Sequence, residues 1–132
     1  SSTTEGRLAA TEVRRAMVAQ MRAIATPLVQ AFGEVRSRLL SRRLAGATMT
    51  SAEALASRVT VTANDLAIAA RELGPRDAAA LVESAQAALD ESQTTGRRAR
   101  ARAASALEDF FRRLCLARLS CPGLSSVSGC PL

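Results

Sequence analysis

One rhythm constrains this chain more than any other feature. Met17, Met21, Ile24, Leu28, Ala31 and Val35 recur at alternating steps of four and three, with Val13 and Leu39 extending the stripe at either end. Steps of that size gather side chains on one face of an α-helix, not of a β-strand. The rhythm returns through Ala52, Leu55, Val59, Thr62, Leu66, Ala70 and Leu73. It returns again through Ala78, Leu81 or Val82, Ala85, Leu89 and Ser92, and finally through Ala99, Ala103, Leu107, Phe110, Leu114 and Ala117. Four seams predict four helices. Aromatic residues make up only 2% of the 132 residues, and Ala dominates the apolar set. Faces this thin suit helices that approach one another closely.

Local signals set the expected boundaries. The first helix is predicted over about 5–44, with a kink or break near residue 26, because Pro27 removes a backbone donor and clashes with the preceding turn. Ala45-Gly46-Ala47 offers a glycine stop. Thr50-Ser51-Ala52-Glu53 has the form of a capping box, predicting a second helix over 51–73. Val59-Thr60-Val61-Thr62 is β-branched and hints at a strand, but the seam through it predicts helix. Gly74-Pro75 punctuates the chain, and helices are expected over 75–94 and 97–119. Residues 1–4 are expected to be disordered, and 121–132 to form an irregular tail. Short later loops make consecutive helices antiparallel neighbours. The expected fold is therefore all-α: an up-down-up-down four-helix bundle with a long, Pro-kinked first helix.

That first helix would be about 60 Å long if unbroken, against roughly 30–36 Å for the others. Its N-terminal half is expected to project and to bare Leu8, Val13, Met17, Met21 and Ile24. A stripe of that length calls for a cover, either a protein partner or a second copy, and unbranched Met suits an adaptable contact.

Charge suggests another kind of partner. The formal net charge is +6, and all 18 basic residues are Arg. Arg36, Arg38, Arg42 and Arg43 fall at the end of the first helix, where the helix dipole favours cations. Arg97, Arg98, Arg100 and Arg102 open the fourth helix, where the dipole opposes them. An up-down path brings both groups to one end, an expected anion site for an RNA or DNA backbone. No aromatic residue interleaves them, so base stacking is not expected. Arg beside the apolar face of the first helix also permits attachment to a lipid surface.

Chemistry is scarce. The chain has no His, so neither a His-based triad nor a His-ligated metal is possible. Ser and Thr lack a base to activate them, and the carboxylates are distributed as helix-surface charges. No enzymatic activity, metal, cofactor or small-molecule substrate is expected. Three Cys allow at most one intrachain pair. Cys121 and Cys130 could close a short loop, although three reduced thiols in an intracellular compartment is the favoured expectation. No stretch approaches the ~20 apolar residues of a membrane-spanning helix. No targeting segment is visible, and a start without Met suggests processing or a fragment. The expected function is a non-enzymatic scaffold, adaptor or structural subunit that docks through the first-helix stripe. The alternatives are anion binding at the basic end, then lipid-surface binding.

Overall fold

Capping, β-branching and proline divide the chain into five α-helices, as seen in a computed structural model that describes residues 2–131. They are α1 (Ser2–Leu44), α2 (Ser51–Arg58), α3 (Ala63–Glu72), α4 (Pro75–Gln93) and α5 (Ala99–Ser120), followed by a short 3-10 turn over Pro122–Leu124. The protein is all-helical, with no strand among the described residues.

α1 is a 43-residue helix that runs unbroken through Pro27, so the break expected near residue 26 does not occur. A proline inside a helix costs about 3 kcal/mol or more. Here Ala25 and Leu28, on either side of it, are buried in the core, so packing holds the backbone helical. The helix also starts at Ser2 rather than near Glu5; Ser1 lies outside the described residues.

The single helix expected over 51–73 is two. Val59-Thr60-Val61-Thr62 is extended or irregular between α2 and α3. Val59 and Val61 are buried while Thr60 and Thr62 are exposed, which is the period-two pattern of a strand. The β-branched run therefore prevails over the helical seam, helped by two local devices. Thr60 exchanges backbone hydrogen bonds with Ser128 in an antiparallel bridge. Thr62 starts a new helix with its own capping box, its hydroxyl accepting from the Asp65 N–H while the Asp65 carboxylate accepts from the Thr62 N–H. The capping box expected at Thr50 and Glu53 is present and opens α2.

α1 packs against α2, α3 and α4; α5 packs against α4 and α2. Contacts with α2 and α3 run in reverse order along α1: Arg42 meets Glu53, Arg36 meets the Ser57 carbonyl, and Arg14 meets the carbonyls of Ala70 and Leu73. Ala supplies much of the buried surface, and the bulk comes from a few positions. All three aromatic residues meet at one point, with Phe32 centred 4.7 Å from Phe111 and 5.4 Å from Phe110.

The C-terminal segment is not a loose tail. Leu124 and Val127 are wholly buried, and Cys130 is bonded to Cys115 across a separation of 15 residues. The pairing differs from the Cys121–Cys130 loop expected from spacing; Cys121 is a free, buried thiol. The reason lies in the path of the chain. Cys121 ends α5 and is covered there, whereas the bridge between Thr60 and Ser128 carries Cys130 back alongside α5. A cross-link of this span removes about 3 kcal/mol of unfolded-chain entropy.

Candidate anion-binding surface

The α1 stripe does not have the expected form. Met21 is 0% exposed and Met17 is 7% exposed, both inside the core, and Ile24 is partly buried against it. Only Val13, at 55%, is open. The side chain of Leu8 lies outside the described residues. Two features extend the cover along α1. The Val59–Thr62 link advances about 3.3 Å per extended residue against about 1.5 Å in a helix, which lengthens the span of α2 and α3. Arg14, whose guanidinium donates to the Ala70 and Leu73 carbonyls, then anchors the end of α3 against α1. The described apolar exposure on α1 lies instead at Val13, Leu40 and Leu44.

The arginines divide into three states. Those in the middle of α5 are paired within their own helix: Arg112 with Glu108 and Arg113 with Asp109, each four residues apart. Two of the α1 group are engaged across elements. Arg42 pairs with Glu53, and the Arg36 Nε donates to the Ser57 carbonyl at 3.2 Å. Arg38 and Arg43 are exposed. The four at the start of α5 share the open state of Arg38 and Arg43 but lie at a helix N-terminus, not a C-terminus. Arg97, Arg98, Arg100 and Arg102 are exposed, and none has an acidic partner within ion-pair distance among the described residues. Asp90 and Glu91, nearby in sequence, are occupied elsewhere: Asp90 accepts from Gln86, and the Glu91 carboxylate lies 3.4 Å from the Thr94 hydroxyl.

Local backbone makes the contrast sharper. Arg98 is the N-cap of α5, and it provides no side-chain hydrogen bond to the first turn. No acidic residue stands in that turn. The Ala99 N–H donates to the Gly96 carbonyl, and the next amides of α5 have no side-chain cap; they lie beside four guanidinium groups, and the amide dipoles and side-chain charges have the same sign. Each exposed Arg there opposes the dipole by about 0.3–1 kcal/mol at low salt. An anion at this point would satisfy both the amides and the charges.

Between α4 and α5 lies a shallow groove of about 360 Å³, lined by Leu73, Asp77, Leu81, Arg113, Leu116 and Leu119. Leu116 and Leu119 are 59% and 70% exposed. They fall off the α5 seam, so the three-four rhythm does not pick them out, and that departure is itself the signal. A second groove, of about 610 Å³, separates α1 from α4 and is lined in part by Met17, Ile24, Val82 and Gln86.

The carboxylates serve structural roles. Glu53 closes the α2 capping box and meets Arg42; hydrogen bonding from the Thr50 N–H, then from Arg42, holds its carboxyl below the usual range against the opposing effect of burial. Asp65, almost wholly buried, caps α3 and accepts from the Ser126 hydroxyl. Among the described residues no group of three His, Cys, Asp or Glu is placed to hold a metal ion. Among them, too, no helix is long and apolar enough to cross a membrane. No known protein family, curated protein or solved structure matches the chain.

Proposed function

We propose that the chain is a non-enzymatic helical interaction module that docks onto an anionic partner, an RNA or DNA backbone, through the start of α5. The observation that carries this is the set Arg97, Arg98, Arg100 and Arg102: exposed, without acidic partners among the described residues, and placed at a helix start that has no cap. Ion pairs elsewhere join Arg42 to Glu53, Arg112 to Glu108 and Arg113 to Asp109, so what sets the four apart is their place at an uncapped helix start. We further propose that α2 and α3 act as one arm of an up-down-up-down bundle, with α1 bent at Pro27. In that arrangement Arg38 and Arg43 widen the basic end. Contact is with phosphates rather than bases, since the three aromatic residues are all enclosed in the core.

The test is binding to a short RNA duplex across a salt series. Four phosphate contacts predict an affinity that falls about 100-fold between about 50 and 200 mM salt. Replacing Arg97, Arg98, Arg100 and Arg102 together by Gln should remove most of that dependence. Unchanged affinity in this variant would overturn the proposal.

A second reading draws support from the α1–α4 groove, where Met17 and Ile24 line an open apolar channel. It is that of a scaffold or subunit which seats a protein partner or second copy along α1. Ile24→Glu, measured by light scattering on the eluted protein, would lower an oligomer to a monomer under that reading and change nothing under the first. Lipid-surface binding through α1 has less support, because Met17 and Met21 face the core.

A further inference from the structure

The segment 122–131 folds back from the end of α5 onto the junction between α2 and α3. Leu124 and Val127 are its two wholly buried side chains. Ser128 exchanges both backbone hydrogen bonds with Thr60, and the Ser126 hydroxyl donates to the buried Asp65 carboxylate. Gly129 passes so close to α2 that a β-carbon there would lie 1.9 Å from the Arg58 carbonyl oxygen, at a φ of +84°. Its first residues, Pro122–Leu124, also pack against α3 and α5, and one covalent bond, Cys115–Cys130, holds its far end.

Pro122, Gly123, Ser125, Ser126, Ser128, Gly129 and Pro131 give the segment little to bury and much freedom to lose on ordering. The bond determines whether the segment is a closed loop or a free end, which is the difference that loop-closure entropy acts on. We propose that the Cys115–Cys130 bond is a redox latch: its reduction releases segment 122–131 as a strap and uncovers Asp65 and Cys121 while the helices stay folded.

The exchange is balanced with a dithiol as the reductant. Cys130 is partly exposed whereas Cys115 is buried, so a reductant thiolate attacks the Cys130 Sγ. The Cys115 sulfur leaves as a thiolate and takes up a proton. The second reductant sulfur then displaces Cys130, which also takes up a proton, and the reductant departs as its own disulfide. Two electrons and two protons pass to the protein. Cys121, at the root of the strap, competes poorly in this exchange. While the strap is closed, burial, and after it the charge of Glu72, pushes its thiol above the ordinary range, so it does not attack the Cys115–Cys130 bond.

Cys121, buried at the root of the strap, also supplies the readout. Maleimide labelling of the oxidised protein, followed by peptide mass spectrometry, should modify Cys121 slowly. After dithiothreitol, or in the Cys115→Ser/Cys130→Ser double variant, labelling of Cys121 should quicken at least about tenfold while helical circular dichroism is retained. The Thr60 amide, which donates to the Ser128 carbonyl, should lose its protection from hydrogen exchange over the same interval and regain it on reoxidation. A labelling rate that ignores reduction would overturn the latch. So would loss of helical dichroism together with the gain in labelling, in the reduced wild-type protein or in the variant, because the bond would then staple the whole fold.

Discussion

α2 and α3 begin in one way and α5 in another. Thr50 with Glu53, and Thr62 with Asp65, form reciprocal capping boxes that place a carboxylate in the first turn, where the dipole wants it. α5 begins with Arg98 as an N-cap that makes no side-chain hydrogen bond, and with four arginines where the dipole does not want them. The first two starts serve the fold, since each satisfies its own amides within four residues. The third leaves amides and charges of one sign facing solvent. Sites that break a local rule with no local compensation are where function is expected to reside.

The contrast is broken most directly at α5. Changing Arg97, Arg98, Arg100 and Arg102 together to Gln should weaken polyanion binding about 100-fold at low salt and leave the fold intact. Changing Arg112 and Arg113 to Gln should cost far less, because each is already paired with an acid on its own helix. Equal losses in the two variants would mean that net charge, not the helix start, does the binding.

The next largest effect belongs to α3. Asp65→Ala removes the acceptor for the Thr62 N–H and for the Ser126 hydroxyl, two hydrogen bonds made at a partly buried place. The expected loss is about 2 kcal/mol in chemical denaturation. A loss under about 0.5 kcal/mol, the scatter of ordinary surface substitutions, would show that this start is no better satisfied than that of α5.

How legible these starts were in the sequence differs between them. Thr50-x-x-Glu53 announced α2 plainly. Thr62-x-x-Asp65 has the same form, yet Thr62 also continues the three-four seam, which masks the signal of four β-branched residues in a row. The all-helical class and the unusual arginines at residues 97–102 were readable because both depend on neighbours in sequence. The burial of Met17 and Met21 was not, since it depends on how far along α1 the α2–α3 arm and α4 reach. Nor was the Cys115–Cys130 bond: spacing favours the nearest pair, and only the meeting of Thr60 with Ser128 brings Cys130 to α5. The C-terminal segment looked irregular because its apolar content is two isolated residues, Leu124 and Val127, and both turn inward.

The comparison can also be inverted. Arg98→Asp would give α5 the acidic cap that α2 and α3 exploit. It should stabilise the protein by about 1 kcal/mol, read as a rise in melting temperature, and weaken anion binding. Stabilisation with undiminished binding would separate the helix start from the site.

The smallest effect is a matter of pH, and it concerns the satisfied side of the comparison. The folded-state pKa of Glu53 is lowered, first by the Thr50 N–H and then by Arg42, so the folded protein favours the ionised carboxylate more than the unfolded chain does. Its contribution to stability is therefore complete above the unfolded pKa, near the ordinary carboxylate value of 4.5, and is lost as pH falls through the lower folded value. The difference in melting temperature between wild type and Glu53→Gln should be constant near neutrality, shrink below about pH 4.5 and vanish in stronger acid. Because Arg42 is itself half exposed, salt should reduce the difference in part while the Thr50 N–H contribution persists. The start of α5 has no carboxylate to protonate, so Arg98→Gln should shift the melting temperature by the same amount across that range. A pH dependence in Arg98→Gln that matched that of Glu53→Gln would mean an acid does reach the first turn of α5, and the two kinds of helix start would no longer be distinct.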